Sequence, residues 1–259
     1  MAFNIVGVAL NAFRLAWRNI FKVVGYQLIA LVISIIAIVL SGPIINGTAP
    51  TAIGPIASLV TNICFFVSTL AAIAVMSDDA KGYQSGFIDG IKRGLAAAPM
   101  TFVASVGLAI IVFIPSLIVL LATGHAGYTA SGFSGLAIAG FVGIGLFVAW
   151  IATVFAPIVP VLVIEGAQFG AFRRAMELTK GKRLAIFLTL LFFALTLAIS
   201  GGVVFFLAVA IAKIFATSLG LVGAIALMAL GYVIAIMVIQ ASNNGLQAAI
   251  YAELTEDEG

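Results

Sequence analysis

The chain has 259 residues, of which 64% are hydrophobic and 8% charged, where a soluble domain carries about 25% charged residues. A chain of this size cannot hide so much apolar surface in its own interior, so lipid is the solvent for much of it. The formal net charge of +3 is a weak bias as a total; its placement along the chain carries the information.

The N-terminal stretch MAFNIVGVALNAFRLAWRNIFK has its positive charges after its first apolar residues and shows no small-residue cleavage site. It therefore reads as part of the folded chain and not as a signal peptide. Val6, Leu10, Phe13, Trp17 and Ile20 make an apolar stripe at helical spacing, with Arg14, Arg18 and Lys22 in a basic stripe beside it, so an amphipathic interfacial helix is expected. Residues 23–77 then carry no charged side chain. One crossing needs about 20 apolar residues, so this run suits two spans, 22–41 and 55–77, parted by a turn over Gly42–Pro55. Asn46-Gly47-Thr48 in that turn is a glycosylation acceptor pattern of little weight.

Gly82, Gly86, Gly90 and Gly94 follow at a spacing of four. Glycine costs about 1 kcal/mol per helical position relative to alanine. Either another helix packs closely on this bare face, or the stretch is a loose loop with a short helix near 86–97. Phe87, Ile88, Ile91 and Leu95 share a face there, and Asp89 has Lys92 and Arg93 as local pairing partners. Residues 94–164 again lack charge and give spans 99–122 and 136–163 around the turn Gly124–Gly135. Phe169, Phe172 and Met176 form a third interfacial stripe, stopped by Gly181. From 184 to 252 the one charge is Lys213, giving spans 184–212 and 218–250. The acidic tail from Glu253 to Gly259 is expected to be disordered.

The fold class is therefore all-α: a polytopic membrane bundle of six transmembrane helices in one integral membrane domain, residues 1–259. Its pattern suggests three αα-hairpin repeats with amphipathic interfacial helices, near 3–77, 83–164 and 167–252. Arg14, Arg18, Lys22, Lys81, Lys92, Arg93, Arg173, Arg174, Lys180, Lys182 and Arg183 fall at one end of these spans and only Lys213 at the other. This asymmetry places both termini in the cytoplasm. Ten of these cations are candidate lipid-headgroup contacts on an anionic leaflet: Arg14, Arg18, Lys22, Lys92, Arg93, Arg173, Arg174, Lys180, Lys182 and Arg183.

Catalysis and metal binding need convergent His, Cys, Asp or Glu. The single Cys64 lies in an apolar run and the single His125 in a turn with no acid beside it. The acids alternate with Lys and Arg, which reads as a solvated charged face. Asp78, Asp79 and Glu165 hold the nearest approach to a carboxylate pair, with nothing else in support. Glycine-rich phosphate loops of the Walker type are missing, and no ionisable residue sits within a span, which disfavours ion-coupled transport. No catalytic residue, metal, cofactor or nucleic acid is expected. Gln240, Asn243, Asn244 and Gln247 share a face at i, i+3, i+4, i+7 near the end of the last span. They are a candidate polar groove for a lipid headgroup or small solute, weighed against ordinary inter-helix hydrogen bonding. Kinks are expected at Pro115 and Pro157, and close helix approach or a bend at Ser200-Gly201-Gly202.

Pro157 and Pro160, then Glu165-Gly166, then Ala171 and Arg174, then Glu177-Leu178-Thr179-Lys180-Gly181 and Arg183, with the ending Tyr251-Ala252-Glu253-Leu254, form a motif. In these residues the chain resembles the bacterial membrane family described as the glycerophosphoryl diester phosphodiesterase membrane domain and its six-helix relatives. Ala175 and Met176 depart from the Ser and aromatic residue common there. The layout covers nearly the whole chain and the motif fewer than thirty residues. The resemblance implies the fold and a multi-pass location in a bacterial inner membrane, and carries over no catalytic residue, since the separate soluble phosphodiesterase domain is not in this sequence. The function expected is non-enzymatic association with membrane lipid, a protein partner or a second copy. A transporter or flippase for a lipid or small solute is the alternative.

Overall fold

The computed structural model of the chain describes residues 3–40, 53–124, 128–129, 132–133 and 135–256. Its helices are α1 (Ile5–Arg18), α2 (Ile20–Leu40), α3 (Ile53–Ala80), α4 (Phe87–Gly124), α5 (Gly135–Val154), α6 (Ile158–Pro160), α7 (Ala171–Thr179) and α8 (Arg183–Glu256). Two-residue strands β1 (Tyr128–Thr129) and β2 (Gly132–Phe133) pair antiparallel between α4 and α5. Most of the turn after α2, with Asn46-Gly47-Thr48, and His125 lie outside the described residues.

Six stretches are long and apolar enough to cross a bilayer: Ile20–Leu40, Pro55–Ala80, Phe87–Ala122, Ala137–Glu165, Arg183–Ile211 and Gly231–Glu256. Helix is the form such sequences must take in lipid, where no water satisfies a free backbone N–H or C=O. Large apolar side chains turn outward along the spans, with Phe113 64%, Ile118 62% and Leu146 64% exposed. A water-soluble surface does not carry apolar patches of that extent. The fold defines a multi-pass helical membrane protein.

α4 joins what the sequence divides. The interfacial segment around Phe87–Leu95 and the span beyond it form one helix, which continues through Pro99 and Pro115. Pro157 has the larger effect. α5 ends at Val154, and the amide of Ile158 bonds back to the carbonyl of Phe155. A π-turn over Val161–Glu165 follows, closed by Gly166 at φ 62°. The carbonyl of Val154, freed by this break, accepts from the Thr179 hydroxyl at 3.3 Å. α8 is two spans, and Gly220 reverses the chain between them with φ 69° and ψ 179°.

The glycine ladder divides in two. Gly82 (φ 80°) and Gly86 belong to the loop before α4. Gly90 and Gly94 face α2 and α3: a Cβ on Gly94 would stand 2.8 Å from the Ala71 amide and 2.9 Å from the Val67 carbonyl. Close helix approach is the reason for glycine at 94. Of the two expectations at Ser200-Gly201-Gly202, close helix approach is corrected. Nothing lies within 4 Å of a Cβ built on Gly201 or Gly202. Ser200 and Gly201 instead line a groove of about 310 Å³ between the two halves of α8, with Gly231 on its other wall.

α1 has two apolar faces, of which the sequence pattern singles out only the outer. Val6, Leu10 and Trp17 of the expected stripe are 51%, 59% and 77% exposed. The buried face is Val8, Ala9, Ala12, Leu15 and Ala16. It packs on the last span, where a Cβ on Gly245 would overlap the Ala12 carbonyl oxygen. Phe13 stacks on Phe193 with centroids 5.0 Å apart. Small side chains let the backbones close together, the usual basis of helix contact in membranes.

Candidate functional site

Charged residues other than Lys213 gather at one end of the bundle, and many of them form a network of pairs. Asn4 caps α1 by accepting from the Gly7 amide at 2.9 Å, and its own amide donates to Glu253 Oε1 at 3.0 Å. Glu253 thus ties the last span to the first helix, and α8 runs on to Glu256. The start of the acidic tail is therefore ordered, correcting the expectation from composition. Asp79, at the end of α3, accepts from Arg18 at 2.9 Å and from Asn19 Nδ2 at 2.9 Å. Asn19 is buried between α1 and α2 and also donates to the Leu15 carbonyl.

Asp78 organises the loop before α4. Its Oδ2 accepts from Arg93 at 2.6 Å and from the Ser85 hydroxyl at 2.7 Å. Lys22 Nζ donates to the Ser85 carbonyl at 3.0 Å, and the Tyr26 hydroxyl to the Phe87 carbonyl at 2.9 Å. The rings of Tyr26 and Phe87 stack with centroids 4.3 Å apart. The local pairing expected of Asp89 with Lys92 or Arg93 does not form. Arg93 reaches Asp78 instead, and Asp89 sits in the first turn of α4, where a carboxylate faces the positive end of the helix dipole.

Glu165, at the end of the π-turn, accepts from Arg174 at 3.2 Å and from the Tyr251 hydroxyl at 3.0 Å. Lys81 lies over the Tyr251 ring, 4.5 Å from its centroid. Five of the six motif positions find a place: Pro157 breaks the span, and Glu165 and Arg174 pair beyond the break. Leu178 is buried, and Gly181 takes φ 79° just beyond the end of α7. Arg173 and Glu177 pair at 2.8 Å on the outer face of α7, and the Glu177 hydrogen bond raises the guanidinium pKa further above its ordinary value. Replacing Tyr251 by Phe keeps the ring under Lys81 and removes the bond to Glu165. The expected cost is about 1–2 kcal/mol, read as a lower unfolding temperature in detergent.

Asp78 and Asp79 are thus structural acceptors and not part of a loosely solvated face: Asp78 is 9% exposed, and the side chain of Asp79 is 12% exposed, whereas Asp89 and Glu177 are exposed. Sequence reading singles out Asp78 and Asp79 only as a weak carboxylate pair and Tyr251 only as part of a motif, and it passes over Asn19. The available signal is the Asp-Asp pair closing a charge-free run. Of the candidate headgroup contacts, Arg18, Arg93, Arg173 and Arg174 are held in pairs, and Lys22 by a carbonyl. Lys182 and Arg183 are half-buried, while Arg14, Lys92 and Lys180 are exposed with no ion pair among the described residues. Trp17, Phe21 and Phe169, at 77%, 89% and 77% exposure, lie at the same end of the bundle. No group of three His, Cys, Asp or Glu able to hold a metal occurs among the described residues.

The four amides of the last span do not form one groove. Gln240 donates to Thr69 Oγ1 on α3 at 2.9 Å, which is inter-helix packing. Asn244 is 1% exposed, and both its amide atoms lack a partner among the described residues. Asn243 and Gln247 line a cavity of about 200 Å³ against α5, α6 and the first half of α8. Comparison of the chain with family models, with curated proteins and with solved structures gives no match.

Proposed function

We propose that the chain is a non-enzymatic multi-pass protein of a bacterial inner membrane that acts by association. Its counterparts are the anionic lipid of the cytoplasmic leaflet and a protein partner or second copy, for which it serves as an accessory subunit. One observation carries this reading: Arg14, Lys92 and Lys180 are exposed, with no ion pair among the described residues, at the end of the bundle that also presents Trp17, Phe21 and Phe169. Trp favours the headgroup level, Phe beside cations suits an interfacial amphipathic segment, and each cation close to an anionic surface contributes about 1 kcal/mol.

The Lys and Arg asymmetry supports cytoplasmic termini. The recurrence of an amphipathic segment before each hairpin supports three repeats, near 3–77, 83–164 and 167–252. The resemblance to the phosphodiesterase membrane domain, resting on Pro157, Pro160, Glu165, Arg174, Leu178 and Gly181, supports the bacterial inner membrane. The alternative, a transporter or flippase for a lipid or small solute, draws on the amide-lined cavity beside the last span.

Native mass spectrometry on the protein extracted mildly from its own membrane tests the reading. A stoichiometric partner, or retention of phosphatidylglycerol over phosphatidylcholine that weakens when Arg14, Lys92 and Lys180 become Glu, is the expected result. A lone chain with no preference between the two lipids would sink it.

A further inference from the structure

We propose that the cavity beside the last span binds an uncharged group bearing hydroxyl or ester oxygens, a role distinct from the association surface. Its wall includes Ala152, Phe155, Ala156 and Val159 on one side, Leu190 on another, and Asn243 and Gln247 on the third. Gln247 Oε1 is buried and accepts no hydrogen bond among the described residues. Asn243 is exposed and also makes none among the described residues. One residue along, Asn244 has a second unsatisfied amide among the described residues, but it does not line the cavity. Buried polar atoms are very rarely left so, and each such atom points to a missing partner.

The chemistry of the wall narrows the partner. No charged side chain lines the cavity, so a charged ligand would enter a low-dielectric site without compensation. A wholly apolar ligand would leave Gln247 unsatisfied. Amides offer both a donor and an acceptor, which suits hydroxyl and ester oxygens. Size sets the scale: an apolar cavity of about 150 Å³ takes benzene, so about 200 Å³ takes a group of roughly six to eight non-hydrogen atoms. Depth agrees. Leu190 follows Arg183 by seven residues, which at ~1.5 Å rise per residue puts the cavity about 10 Å inside the charged end. The same chemistry comes from a lipid's ester region or from a free polyol.

The test uses the full-length protein, delipidated in detergent, with two probes: dioleoylglycerol followed by native mass spectrometry, and erythritol followed by thermal unfolding. Two variants accompany it. Asn243→Leu with Gln247→Leu removes the amides. Ala156→Phe leaves the amides in place and fills the cavity, so it decides the matter if the first variant misfolds. Retention of dioleoylglycerol, reduced at least tenfold in a folded variant, assigns a lipid source. Stabilisation by erythritol alone, lost in the same variants, assigns a free polyol. Binding of neither probe, or binding unchanged in the folded variants, overturns the proposal. Preferential uptake of dioleoylphosphatidylglycerol at this cavity overturns the assignment of an uncharged ligand.

Discussion

Replacing Gly245 by leucine should detach α1 from the bundle. A side chain at 245 meets backbone and not a flexible neighbour: the first carbon alone would overlap the Ala12 carbonyl oxygen and lie 3.2 Å from the Ala12 carbonyl carbon and 3.4 Å from the Ala16 amide. Overpacking costs about 1–3 kcal/mol where side chains can yield. Here the helix axes themselves must part, so a loss above about 3 kcal/mol is expected. Separation also uncovers Val8, Ala12 and Leu15 and strains the bond from Asn4 to Glu253. Two measurements check this: thermal unfolding in detergent, and the thiol-labelling rate of an Ala12→Cys probe in a Cys64→Ser background. Gly201→Leu is the control, because open space surrounds that position and leucine is the better helix former by about 1 kcal/mol. Wild-type stability and slow labelling in Gly245→Leu would show that α1 docks elsewhere.

The spans are legible in the sequence because lipid allows no compromise: every crossing must be a long, charge-free, helical run. The expected ends of the first span, 22–41, differ little from the observed Ile20–Leu40. Contacts between helices are far less legible. The inner face of α1 consists largely of Ala9, Ala12 and Ala16, whose value lies in small size and leaves no mark in hydropathy. The outer row with Leu10 and Trp17 dominates the pattern, although it faces away from the bundle. Gly94 is the exception, since glycine in a helix is costly enough to announce a close neighbour.

The same limit applies to the charged end. Helical spacing suggests Asp89 with Lys92 or Arg93, a pair of the i+3 or i+4 kind. The pair that forms joins residues 78 and 93 across a loop, and no local period encodes it. The polar face of the last span is half legible. Its four amides do share one stretch of helix, but which of them meets α3 and which meets a cavity depends on how α5 breaks at Pro157. That break was visible as a proline, while its consequences, the π-turn and the capture of the Val154 carbonyl by Thr179, were not.

Asp78→Ala should cost about 2–3 kcal/mol and loosen the start of α4. Fully buried pairs cost 3–5 kcal/mol when one partner is removed. This one is less protected, with Asp78 and Arg93 side chains 13% and 44% exposed, so solvent screens part of the effect. The Ser85 hydroxyl adds a second bond to the same oxygen. Its release also frees the segment whose carbonyl holds Lys22. Arg93→Met should cost less, about 1–2 kcal/mol, because Asp78 then keeps the Ser85 bond and some access to water. The double variant should fall short of the sum by about 1 kcal/mol, the coupling between the two charges. Arg173→Ala is the contrast: that pair lies on the outer face of α7, and its loss should leave the unfolding temperature unchanged. Strict additivity of Asp78→Ala and Arg93→Met would mean that the backbone bonds of the loop, from Lys81 to the Ser77 carbonyl and from Tyr83 to the Asp78 carbonyl, hold α4 in place without the ion pair. The expected coupling would instead make the pair the element that sets where α4 enters the membrane, and with it how closely Gly94 approaches α3.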